Sequence, residues 1–212
     1  MSGSSRAKPV SRSDLVDAAV ALRDAAGRRV IIGITGPPGA GKSTIAERLV
    51  ADLGERAVLV PMDGFHLPQA TLVELGRLDR MGALDTFDAA GYADLLARLR
   101  TPGPATAPGF DRTIEEPVPD SIPIPADVDI VVTEGNYLLA DTGGWEAVRP
   151  RLDAAWYVDL DDAERLERLV ARHVAFGKTR EAAVAWANGP DARNAAYIAR
   201  TRGRADVIIA NR

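Results

Sequence analysis

The sequence predicts an α/β fold: a doubly wound, parallel five-stranded sheet with a helical lid. Three observations carry that expectation. Short runs of almost purely apolar residues recur along the 212-residue chain, as strands buried on both faces require. Stretches with helical apolar spacing separate them, the alternation that builds a parallel sheet. Between the first run and the helix after it lies "GPPGAGKST" (36–44), a loop punctuated by glycine and proline.

The elements follow in order. The polar opening over residues 1–10 lacks the apolar segment of a secretory signal and reads as a disordered tail, leaving 11–212 as a single domain. "SRSDLVDAAVALRDAAG" (11–27) has apolar residues at 15, 18, 19 and 22, an amphipathic helix for which Ser13 is a candidate cap. "RVIIGIT" (29–35) is the first buried strand, "TIAERLVADL" the next helix, and "AVLVP" (57–61) the second strand. Helices are expected near 69–78 and 88–100. "TPGPATAPG" (101–109) reads as a connector, and "FDRTIEEPVPDSIPIPA" as extended chain broken by prolines. "VDIVVTEG" (128–135), "AAWYVDL" (154–160) and "ADVIIA" (205–210) complete the strands. Two or three helices fill 161–200, where Gly177 and "NGPD" (188–191) break the pattern and mark a mobile lid. Trp145, Trp156 and Trp186 are expected in the core. No internal repeat is present.

Composition narrows the chemistry. The chain has no cysteine, so disulfides, thiolate zinc sites and cysteine nucleophiles are excluded. Two histidines, His66 and His173, are too few for a histidine-rich metal site. A net charge of −4 argues against nonspecific binding to nucleic acid or anionic membranes. No apolar run approaches the ~20 residues that cross a bilayer. These features predict a cytoplasmic protein with neither nucleic acid nor membrane as partner, and leave a homodimer open.

"GPPGAGKS" (36–43) fits the phosphate-binding pattern G-x-x-x-x-G-K-[ST], with a strand before it and a helix after it. Its glycines let backbone N–H groups turn toward phosphates at the positive end of that helix. The nucleotide-binding set is therefore Gly36, Pro37, Pro38, Gly39, Ala40, Gly41, Lys42, Ser43 and Thr44. Lys42 is expected at the β- and γ-phosphates, and Ser43 on Mg²⁺. The acidic partner of the metal is sought at another strand's end, where "DIVVTEG" offers Glu134; Asp129, at the opposite end, is the weaker candidate.

With these pieces placed, the chain resembles the P-loop kinases that include uridine kinase, phosphoribulokinase and bacterial pantothenate kinase. The resemblance rests on "MDGFHLP" (62–68), "RMGALDTFD" (80–88), "EGNYLL" (134–139) and "TRGRADVII" (201–209), in that order. Met81 stands where the pantothenate kinases have a lysine, and Arg112 where they have a pocket histidine. The shorter chain is more similar to the small subgroup of fructose-transport or nucleoside kinase-like proteins. The resemblance implies a strand order of 2-3-1-4-5, ATP and Mg²⁺ as cofactors, and γ-phosphoryl transfer to a hydroxyl of a small metabolite. A nucleoside, a sugar and a pantothenate-like acceptor all stay open. It also implies that Arg202 and Arg204 border the adenine. The rival expectation is a regulatory P-loop NTPase that drives a protein partner.

Asp63 closes the second strand just before Gly64. It either forms an Asp-Gly turn or holds the acceptor hydroxyl in line and takes its proton late, as phosphoryl transfer asks of one carboxylate. His66 reads as a pocket wall or as a satisfied loop histidine. In "DDAERLERLVARH" (161–173), Arg165, Arg168 and Arg172 share a helical face beside an apolar stripe that includes Leu169 and His173. Asp161 can pair with Arg165 and Glu164 with Arg168. Arg172 has no acid one turn away, so it is the expected lid arginine, with Arg168 next. Arg80, Arg112, Glu115, Asn136 and Tyr137 are the remaining acceptor candidates; Arg112 either reads a carboxylate or phosphate or pairs with Glu115 or Glu116.

Overall fold

The computed structural model describes residues 12–211, so the tail expected over 1–10 lies outside the described residues. The strands are β1 (Val30–Thr35), β2 (Ala57–Pro61), β3 (Ala105–Asp111), β4 (Glu116–Ile124), β5 (Ile130–Gly135), β6 (Ala154–Asp159) and β7 (Val207–Ala210). The helices are α1 (Arg12–Ala26), α2 (Lys42–Leu53), α3 (Gln69–Glu74), α4 (Ala89–Leu99), α5 (Asp162–Ala175), α6 (Arg180–Trp186) and α7 (Ala192–Thr201). Ser13 falls inside α1 as its second residue, not before it as a cap.

Five strands pair in the order β2-β5-β1-β6-β7, every pairing parallel. Counted along the main sheet this is 2-3-1-4-5, the order the resemblance implied. β1 and β5 are buried along their whole length because helices cover both faces. Alternate residues serve two cores. Ile31 and Val131 face the layer of Tyr92, Leu96 and Trp145, whereas Ile32, Ile34 and Val132 pack with Ala46 and Leu49 of α2. Among the described residues, no helix is long and apolar enough to cross a membrane.

Residues 105–124 correct the sequence reading. They form an antiparallel hairpin, β3–β4, separate from the main sheet, where a connector and plain extended chain were expected. Prolines are tolerated because a two-stranded ribbon is all edge, and the register shifts between Ala107 and Gly109, around Pro108. The hairpin lies across the short helical turn Met62–Phe65 so closely that a β-carbon on Gly64 would collide with the Pro108 carbonyl.

Helices α5, α6 and α7 form the C-terminal helical segment, which contributes to the same cleft as the hairpin. A π-helical turn, Ala187–Asp191, joins α6 to α7 where the "NGPD" break was read.

Candidate active site

Parallel register brings the chemistry to one edge. Glu134, next to last in β5, is paired with Ile34 of β1 on one side and Pro61 of β2 on the other. β1 runs directly into the glycine loop and β2 into the Met62–Phe65 turn, so both loops leave the sheet beside Glu134. This is the carboxyl-end crevice where open α/β sheets bind ligands. A cleft of about 400 Å³ opens there, lined among others by Pro38, Lys42, Ser43, Asp63, Glu134 and Arg172.

The glycine loop ends in Gly41, held at φ 91° as the cap of α2, a conformation that suits glycine. Lys42 is buried and its ammonium donates to the Pro37 carbonyl at 3.1 Å. Burial lowers this ammonium from its ordinary 10.5 to about 8; Glu134 and Asp63 oppose the shift, while Arg172 and Arg165 reinforce it. The Ser43 hydroxyl donates to Glu134 Oε1 at 3.1 Å. Burial, then the Asp63 charge, pushes Glu134 up to about 7, against the pull of Lys42, the Ser43 hydroxyl and Arg112. A hydroxyl and a buried carboxylate in contact are hard oxygen donors, and they fit a Mg²⁺ ion that keeps water and phosphate oxygens as its other ligands.

Asp63 lines the same cleft, with Arg112 Nη2 donating to its Oδ2 at 2.8 Å. Arg112 comes from the β3–β4 connection, and its pairing answers one open question: its partner is Asp63, neither Glu115 nor Glu116. His66 lines the cleft between the rings of Phe87 (3.9 Å between centroids) and Phe110 (4.8 Å). Its Nδ1 is buried and has no hydrogen-bond partner among the described residues. Burial holds its imidazole below the ordinary histidine range, with Asp63 opposing.

Asn136 and Glu115 also line the cleft. Arg80 and Tyr137 do not: Arg80 pairs with Asp85 at 2.7 Å, and Tyr137 is buried with its hydroxyl donating to the Gly82 carbonyl. Arg202 and Arg204 lie outside the cleft wall on Asp159 and Asp141. Arg168 pairs with Glu164 as read, at 2.5 Å.

The first arginine of the helical face is different from its reading. Asp161 caps α5 through Ala163 N and Glu164 N, so Arg165 pairs with Asp162 instead, at 3.0 Å. Arg165 is buried and donates to the Pro38 carbonyl of the glycine loop at 3.3 Å. Arg172 lines the cleft and makes no ion pair among the described residues.

Three further cleft residues escaped sequence reasoning. His173, taken for part of an apolar stripe, bonds Asp191 of the π turn at 2.7 Å. Trp186, expected in the core, faces the cleft with the Lys178 ammonium 4.8 Å above its ring. Asn194 of α7 reaches the same Gly82 carbonyl as Tyr137. All three depend on contacts between elements, for which one-dimensional spacing holds no signal.

The sequence profile of the Phosphoribulokinase / Uridine kinase family matches residues 31–212. A Schizosaccharomyces pombe protein provisionally named a uridine kinase is 31% identical over 198 residues, which are 86% of this chain and 83% of that protein. A crystal structure from Silicibacter sp. TM1040, provisionally named a fructose transport system kinase, matches with a TM-score of 0.84 at 34% identity. That match covers 93% of this chain and 98% of the other. YFH7 of Saccharomyces cerevisiae, a circularly permuted P-loop protein, shares the fold at 21% identity and a TM-score of 0.83, over 96% and 99% of the two chains.

Proposed function

Because the chain belongs to the Phosphoribulokinase / Uridine kinase family, we propose that it is an ATP- and Mg²⁺-dependent kinase acting on a hydroxyl of a small metabolite. The observation that carries this reading is one carboxylate, Asp63, in the same cleft as Lys42, Ser43 and Glu134. A P-loop protein that only hydrolyses nucleotide has no need of an acceptor pocket walled by His66, Phe87 and Phe110.

Lys42 and the backbone N–H groups of the glycine loop hold the phosphates of ATP, and Arg165 braces that loop from α5. Ser43 and Glu134 would hold Mg²⁺, which would supply charge neutralisation at the phosphates of ATP. Asp63 fixes the acceptor hydroxyl in line. The acceptor oxygen bonds to the γ-phosphorus as the bond from that phosphorus to its bridging oxygen breaks. The electron pair stays on ADP, and the hydroxyl proton passes to Asp63. Residues 161–200 act as the lid that brings Arg172 onto the phosphates, where it offsets charge moving toward the leaving group.

The test is an ATP-consumption screen over hydroxylated metabolites, with product mass confirming one added phosphate. ATP hydrolysis stimulated by a protein partner and by none of the metabolites would overturn the proposal.

A further inference from the structure

The acceptor half of the cleft contains one cation that the phosphoryl-transfer machinery does not explain. Lys42 is bonded into the glycine loop, Arg172 lies near enough to depress its basicity, and Lys178 sits over Trp186. Arg112 is left, and its only bonded partner among the described residues is the proposed base.

That contact uses one of the five guanidinium donors. The side chain is half-exposed and lines the cleft, and none of its other donors bonds a described residue. The hairpin's own acids do not absorb them. Glu116 is turned away to accept from the Gln69 backbone N–H, and Glu115 does not bond the guanidinium. The strand that leads to Arg112 is anchored beside the cleft. Its hairpin is seated on the Met62–Phe65 turn through Gly64, and Phe110, two residues before Arg112, packs on His66.

The pair also poses a chemical problem. As long as Arg112 holds Oδ2, the guanidinium takes up one of the roughly four acceptor sites of the Asp63 carboxylate and makes that carboxylate a weaker base. A neutral acceptor offers the guanidinium only hydrogen bonds to uncharged oxygens, which are weaker than the contact it would give up. A carboxylate or phosphate does, because it satisfies the fork of donors better than the single contact with Asp63.

We propose that the acceptor carries an anionic group, a carboxylate or a phosphate, close to the hydroxyl that is phosphorylated, and that Arg112 binds this group. With the hydroxyl on Asp63 and the anion on Arg112, whose Nη2 lies 2.8 Å from Oδ2, three hydrogen-bond lengths bound the separation of anion and reacting oxygen at roughly 8 Å. Binding transfers Arg112 from Asp63 to the acceptor and frees Oδ2 to receive the hydroxyl proton. This inference rests on the kinase reading and narrows its substrate class.

The experiment compares four probes with ATP and Mg²⁺: glycerate, glycerol 3-phosphate, glycerol and uridine. Wild type, Arg112→Gln and Arg112→Lys are assayed, with product mass as readout and thermal melts to confirm folding. The expected result is turnover of at least one anionic probe, with kcat/KM roughly 100-fold or more above that of glycerol. Turnover of glycerate alone identifies a carboxylate, and of glycerol 3-phosphate alone a phosphate. Arg112→Gln should raise KM for that probe by about 10- to 100-fold, and Arg112→Lys should recover part of the loss. Turnover confined to glycerol or uridine overturns the inference and leaves the kinase reading intact. So does a KM in Arg112→Gln within about twofold of wild type. No turnover of either anionic probe overturns the inference, and ATP hydrolysis raised only by a protein partner overturns the kinase reading as well.

Discussion

At Asp63 and Gly64, a dipeptide that suits a simple turn has its two residues serving different ends. Gly64 is required by the backbone of the hairpin lying against it, so turn geometry does not account for the pair. Asp63 is left to act through its carboxylate. Asp63→Asn should therefore bind nucleotide normally and fold normally, because the ion pair it loses is solvent-exposed on the arginine side. Phosphoryl transfer to the acceptor should fall by about 10²- to 10⁴-fold. A folded variant within threefold of wild type would return Asp63 to a purely structural role. Lys42 supports a second measurement. Its ammonium is held near 8 by burial, and triphosphate binding must draw it back toward its ordinary 10.5. Between about pH 8 and 9.5 nucleotide binding should take up a proton, and affinity should weaken as pH rises through that window. Titration calorimetry in buffers of different ionisation enthalpy reads this directly, and a buffer-independent heat at pH 8.5 would contradict it.

Helix α5 shows how a 3.6-residue repeat divides tasks among similar side chains. Arg165 turns inward to the Pro38 carbonyl, Arg168 stays on the surface with Glu164, and Arg172 enters the cleft beside His173. The Arg172→Ala variant should lose about 10²-fold in kcat, with acceptor KM changed little, if the guanidinium acts on charge that develops during transfer. A normal kcat would place Arg172 outside the chemistry. The strands, the glycine loop and Glu134 were legible because each is fixed by local rules: apolar runs, a spaced motif, a strand end. The hairpin was not, since prolines at 108, 117, 119 and 123 argue against strands, and only its two-edged ribbon form tolerates them. Asp161 was expected as the partner of Arg165, and Glu115 or Glu116 stood as alternatives for Arg112, for a related reason. Neighbouring acids in sequence offered partners, and the fold supplied better-placed ones from other elements or the preceding turn. The His173–Asp191 contact spans α5 and the π turn, so it exists only once both helices are packed.

For the molecule as a whole, the parallel sheet is what makes a buried ammonium tolerable. Its two cores hold the glycine loop rigidly enough that Lys42 stays inside with one carbonyl partner and a nearby carboxylate. That arrangement serves ligand binding at the expense of stability. A lysine whose folded value lies near 8, below 10.5 in the unfolded chain, binds its proton less tightly when folded. The penalty is complete below pH 8 and fades as pH rises from 8 toward 10.5, and a depression of that size is worth on the order of 3 kcal/mol. Replacing the side chain by one of similar length without charge removes the penalty but strands the Pro37 carbonyl, which returns about 1 kcal/mol. Lys42→Met should therefore melt several degrees above wild type at pH 7 without nucleotide, and the advantage should shrink by pH 10. Wild type should gain about 2.7 kcal/mol at an ATP concentration 100 times its Kd, whereas Lys42→Met should show no ATP-dependent shift at the same concentration. Thermal melts with and without ATP and Mg²⁺ at both pH values decide the matter. A variant that melts below wild type at pH 7, or that keeps the full ATP-induced shift, would mean that Lys42 is neither the buried penalty nor the phosphate ligand described above.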